Sequence, residues 1–146
     1  MLALSMVTLL AFSGPAMAQE TPVGLWKIID DVSGKPRAIL RITESAGALS
    51  GKLEKLIREP GDEPNPRCIA CSDARKDQPV AGLTILTGLR RENQSMVWSG
   101  GEILDPESGR IYKSKATLTD GGRKLEVRGY FGVPMLGRTQ IWLRDP

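Results

Sequence analysis

The groups of this chain with chemistry to offer are Cys68 and Cys71, the carboxylates of Asp30-Asp31 and Asp105-Pro106-Glu107, and the run of arginine, glycine and tryptophan at residues 128–142. A Cys-x-x-Cys spacing serves three chemistries. Two exported thiols this near in sequence close a disulfide. At a helix start in a βαβ unit they form a redox pair, and with two further ligands they hold zinc. Here Pro66-Arg67 precede them, Ser72-Asp73 follow, and no helical pattern comes after. Only Asp62, Glu63, Asp73 and Asp77 stand near as further ligands. These surroundings favour the disulfide over redox or metal use. So small a ring removes little chain entropy, so its effect is local stiffness.

The carboxylates read as turn residues before they read as acids. Asp105 opens Asp105-Pro106-Glu107-Ser108-Gly109, where Asp bonds its own backbone, Pro presets φ and Gly ends the turn. Asp30 and Asp31 stand where a strand meets a turn. The chain has no histidine, which removes Ser-His-Asp and Cys-His catalysis and the commonest metal ligand. No nucleophile–base pair can be named, so no enzyme activity, cofactor or metal is expected.

The run at 128–142 carries an apolar lip, Val133-Pro134-Met135-Leu136, between Gly132 and Gly137. Beyond it Arg138, Gln140, Trp142 and Arg144 share one strand face, and Thr139, Ile141 and Leu143 the other. An exposed lip would gate an apolar ligand or touch a membrane or partner; a tucked one is core.

The elements that must position these groups are short and β-like. Strands are expected at 24–30, 37–44, 49–58, 82–91, 96–99, 102–104, 110–118, 124–131 and 138–144, separated by Gly, Pro, Asp and Asn. A turn centred on Gly47 joins the second and third of these. Only 59–80 is long and non-repetitive. Parallel strands need long crossovers, so the pattern predicts an antiparallel, up-and-down meander of eight or nine strands, which closes into an all-β barrel. A β-sandwich is the alternative. About eight strands enclose an interior that side chains fill or that holds one small ligand. Ile28, Leu40, Ile42, Leu53, Leu86, Tyr112, Ala116, Val127 and Trp142 are candidates for lining or filling it, with Val133, Met135 and Leu136 at its mouth.

Residues 2–12 are apolar and Ala16-Met17-Ala18 has the small-x-small form of a signal-peptidase site. No Lys or Arg precedes Lys27, so the positive n-region is missing. The run is shorter than the roughly 20 residues that span a bilayer. A signal peptide at 1–18, cleavage near Ala18, and a periplasmic or secreted domain at 19–146 with no lasting membrane anchor are expected. The net charge of +3 is spread along the chain, without the clustered stripe of a nucleic-acid binder.

Gly24-Leu25-Trp26 resembles the first-strand motif of lipocalins and their relatives. That resemblance implies that Trp26 plugs the closed end beneath an arginine of the last strand, with Arg138 and Arg144 as candidates. The whole pattern resembles the DUF2147 family of exported bacterial proteins. It runs through Gly34-Lys35-Pro36, Leu49-Ser50-Gly51-Lys52, Cys68-x-x-Cys71, Gly101-Glu102-Ile103-Leu104-Asp105-Pro106, Leu125-x-Val127-Arg128-Gly129-Tyr130 and Gly137-Arg138-Thr139-Gln140-x-Trp142-x-Arg144. The resemblance implies a lipocalin-like (calycin-like) periplasmic barrel carrying a small apolar or amphipathic molecule, with no established activity and no catalytic residues. Family members commonly place Lys or another polar residue inside the Cys-x-x-Cys; here Ile69-Ala70 stand there, which speaks against a polar role for that loop. The second function expected is a periplasmic interaction module, an inhibitor or envelope-stress factor acting through residues 132–137.

Overall fold

The computed structural model describes Ala11, residues 20–133 and residues 135–146. The expected signal peptide, Ala11 aside, lies outside the described residues, as does Pro134 of the lip. Eight antiparallel strands follow one another round a closed barrel: β1 (Gly24–Ile29), β2 (Pro36–Ser45), β3 (Ala48–Leu56), β4 (Thr84–Arg91), β5 (Val97–Leu104), β6 (Ile111–Thr119), β7 (Lys124–Tyr130) and β8 (Gly137–Asp145). The seam is β1 on β8, with Trp26 opposite Arg144 and Ile28 opposite Trp142. Closure removes the free edges that a sandwich keeps.

The connections alternate between two ends. At the closed end, β2 turns into β3 through Ala46 and Gly47, both at positive φ (50° and 77°), the two-residue geometry that suits strand twist. Residues 92–96 and a single 3-10 turn at Asp120–Gly122 complete that end. Residues 30–35, 57–83, 105–110 and 131–136 gather at the other end and form the mouth.

Of the eight or nine strands expected, eight stand, because 96–99 and 102–104 belong to one bulged β5. Its register with β6 shifts between Trp98 and Gly101, and Gly100 sits at φ 73°. A bulge adds one residue and so exchanges the two faces beyond it. Two of the four other register shifts bear on the lining in the same way. Glu54 is extra against β2, so Leu53 faces Leu40 while Leu56 faces Ala38. Ile85 is extra against β3, which leaves both Ile85 and Leu86 buried.

Inward residues near the closed end pack into a continuous core. Trp26, Leu40, Ile42, Leu49, Leu86, Leu89, Ala116 and Leu125 are almost wholly buried, with Trp98 and Leu118 beside them. Gly51 and Gly101 make room: a Cβ at Gly51 would fall 2.9 Å from Leu40, and one at Gly101 would fall 2.9 Å from Leu89. The barrel is solid at this end.

Candidate functional site

Toward the mouth the inward side chains stop meeting. A cavity of about 880 Å³ opens there, walled by Ile28, Ala38, Leu53, Leu56, Ile85, Ile103, Tyr112, Val127 and Trp142 and reached between the four mouth loops. Trp142 marks the boundary. It is fully buried, it faces the cavity, and its Nε1 donates to Gln140 Oε1 at 3.1 Å. Gln140 keeps its amide N–H groups for other partners.

Ile28, Leu53, Tyr112, Val127 and Trp142 of the expected lining residues face this cavity. Leu40, Ile42, Leu86 and Ala116 do not; they fill the closed half. Alternation put them on the correct face, but depth along the barrel decides whether that face meets a neighbour or a void. The lip divides as well. Leu136 lines the cavity although 66% exposed, while Val133 (52%) and Met135 (87%) point to solvent outside it. Phe131, at the start of the lip, stacks on Tyr112 with centroids 4.5 Å apart.

The two arginines expected at the closure are at opposite ends. Arg144 lies over Trp26, its guanidinium carbon 4.4 Å from the ring centroid. It donates to the carbonyls of Gly122 (2.7 Å), Val23 (2.9 Å) and Thr21 (2.7 Å). Trp26 Nε1 donates to Pro22 O at 2.7 Å. Burial pulls the Arg144 guanidinium below its ordinary value, and the indole face and three carbonyls compensate the desolvated cation. Gly24, at φ 132°, admits this arginine: a Cβ there would stand 2.9 Å from Nη1.

Arg138 is no part of the closure. It sits at the mouth and makes a two-pronged ion pair with Asp31 of the β1–β2 loop. Five residues of β8 plus the tilt of the strand separate the two arginines, which is why one face of a single strand serves both ends. The hydrogen bond from Arg138 holds the Asp31 carboxyl below its usual range, and bonds from Ser33 do the same for Asp30. Asp105 accepts from the Glu107 amide (3.1 Å) and the Ser108 hydroxyl (2.8 Å), the turn geometry expected of it.

Cys68 and Cys71 form a disulfide, Cα–Cα 5.4 Å. Both are buried in the apolar core that extends under the long connection. That connection folds over the mouth, so Pro66, Arg67, Ile69, Ala70 and Val80 face the cavity. It rests on the β5–β6 turn: Cys68 Sγ lies 3.5 Å from Pro106 O, and a Cβ on Gly109 would overlap the Ala70 carbonyl. Periodicity could not reveal these residues, nor Leu56, Ile85 and Ile103 beyond the bulges. The signals present were Gly100-Gly101 inside a strand and the only long connection in the chain.

A family model described as "Uncharacterized protein conserved in bacteria (DUF2147)" matches residues 24–144. The chain belongs to the DUF2147 family. Those residues begin at the first strand and end at Arg144, so the match spans the closed barrel. A solved structure described as "Protein HP1028 from the human pathogen Helicobacter pylori belongs to the lipocalin family" is similar in fold, with TM-score 0.72 and 15% identity. The likeness covers 86% of this chain and 84% of that one. No curated protein matches the sequence. The DUF2147 barrel is therefore lipocalin-like, solid below and hollow above.

Proposed function

We propose that this DUF2147 protein is an exported carrier that holds one small apolar or amphipathic molecule in the upper half of its barrel. The observation that supports the reading is the cavity of about 880 Å³ with apolar walls and an arginine- and carboxylate-bearing rim. Its size falls in the range of about 300–1,000 Å³ usual for small-molecule sites, and the few polar groups at one end would orient an occupant. In this reading the protein is a periplasmic binding protein and not an enzyme. Native mass spectrometry of protein purified from periplasm, followed by solvent extraction, tests it. A copurifying apolar molecule released by denaturation is expected. Protein of bare mass that also leaves the fluorescence of N-phenyl-1-naphthylamine unchanged would overturn the reading.

Met135 and Val133 favour a second reading, since they expose apolar surface outside the cavity. In that reading residues 132–137 insert into a partner protein. Replacing Met135 with Ser then abolishes partner capture while probe binding in the barrel stays as in the wild type.

A further inference from the structure

The polar groups of the cavity are sorted by depth. Below the rim, Gln140 already accepts from Trp142. The charged residues that line the cavity, Asp30, Arg37, Arg58, Arg67, Asp105, Glu107 and Arg138, stand at the mouth. An ionised group carried to the depth of Trp142 would lose its water without a charged partner, which is costly. An amphiphile therefore enters chain first and leaves its head at the rim.

The sign of that head follows from which rim groups are already spent. Asp30 accepts from the Ser33 amide at 2.7 Å, Asp105 from its own turn, and Asp31 from Arg138. The donors are less committed. Arg37 makes one ion pair, to Glu107 at 4.0 Å, and the Glu107 side chain is 87% exposed. Arg67 gives one N–H to Asp77 O at 3.0 Å, and Arg58 gives one to Glu63 O at 2.9 Å beside an ion pair to Asp62 at 4.0 Å. A guanidinium has five N–H donors in a planar fork suited to carboxylate or phosphate. The larger unspent capacity of the rim is thus donor capacity, with Glu107, tied through the 4.0 Å pair to Arg37, the exception among its carboxylates.

We infer that the cavity takes a single-chain amphiphile with an anionic head, chain inward against Ile28, Leu53 and Trp142, and head at the rim on Arg37 and Arg67. The inference rests on the carrier reading and gives that site its ligand class. Carboxylate and phosphate monoester heads share the required chemistry.

Displacement of N-phenyl-1-naphthylamine, a neutral probe, by dodecanoate, dodecyl phosphate and dodecanol tests it in the wild type, Arg37→Gln and Arg67→Gln. The wild type should bind one or both anions about tenfold or more tighter than the alcohol, the scale of a charge-assisted hydrogen bond. That ratio should fall toward unity in at least one variant, and should shrink with added salt in the wild type. The two anions tell a fatty-acid-like head from a phosphate-bearing one. Equal affinity for alcohol and anions, or a preference that both variants retain, overturns the anionic head and leaves the carrier reading standing. A probe that does not bind the wild type sinks both.

Discussion

At the closed end Arg144 lies against Trp26 and gives its donors to three backbone carbonyls; at the mouth Arg138 reaches a carboxylate between exposed loops. The two residues sit on the same inward face of one strand, six positions apart. One is a structural plug, half-buried on Trp26 and bound to groups that do not titrate. The other joins the β1–β2 loop to β8 through a pair whose side chains are 61% and 23% exposed, the kind of pair worth about 0–1 kcal/mol. The barrel concentrates its stability at one end. The other end keeps its groups solvated, its loops held by local ties, and a volume that none of the described residues fills.

The largest expected effect is at the plug. Trp26→Ala should cost about 3–5 kcal/mol, as for other fully buried aromatics. Phe131→Ala at the mouth should cost roughly 0.5–1.5 kcal/mol, the scale of its contact with Tyr112. Urea unfolding of both variants measures the difference. Equal losses would break the contrast between the two ends.

A smaller, local effect is expected where the long connection meets the β5–β6 turn. Gly109→Ala places a Cβ against the Ala70 carbonyl at φ 71°, a strain of roughly 1–3 kcal/mol. Amide exchange in residues 66–80 should then quicken while the amides of Trp26 and Ile28 keep their protection. Uniform loss of protection would mean that the connection and the closed end unfold as one unit.

The smallest effect is on pH. The Arg138 pair lowers Asp31, and Arg75 holds Asp73 down to about 2. Folded-state values below the unfolded ones mean that these ties stabilise the mouth above about pH 4 and are lost as pH falls toward 2. Arg144 has carbonyl partners, so its own ties have no such window. Amide chemical shifts followed from pH 6 to 2 should move first in residues 30–35 and 66–80. Movement first around Gly24 and Gly122 would reverse the assignment.

Much of this architecture was legible in the sequence. Alternation in residues 124–144 identified the inward faces of β7 and β8, and turn chemistry identified Gly47 and Asp105-Pro106. The spacing and surroundings of Cys68 and Cys71 favoured the disulfide that the structure contains. The lining was legible only in part. Leu53, Val127 and Trp142 follow simple alternation, whereas Leu56, Ile85 and Ile103 lie next to or beyond an inserted residue that exchanges the faces. Arg37, Arg67 and Ile69 reach the cavity from strand ends and loops, where no period applies.

By itself the sequence determined an antiparallel meander, the alternation of side chains along its strands, and a first strand and last strand suited to meet. Side-chain period and turn residues are local properties, set by backbone sterics within a few positions. Only the tertiary structure decided that Arg144 and not Arg138 closes the barrel, and that Leu40, Ile42, Leu86 and Ala116 are floor. It alone decided that the space above Trp142 is empty. Those are questions of height along a closed, tilted sheet, fixed by the stagger of eight strands and their register shifts acting together.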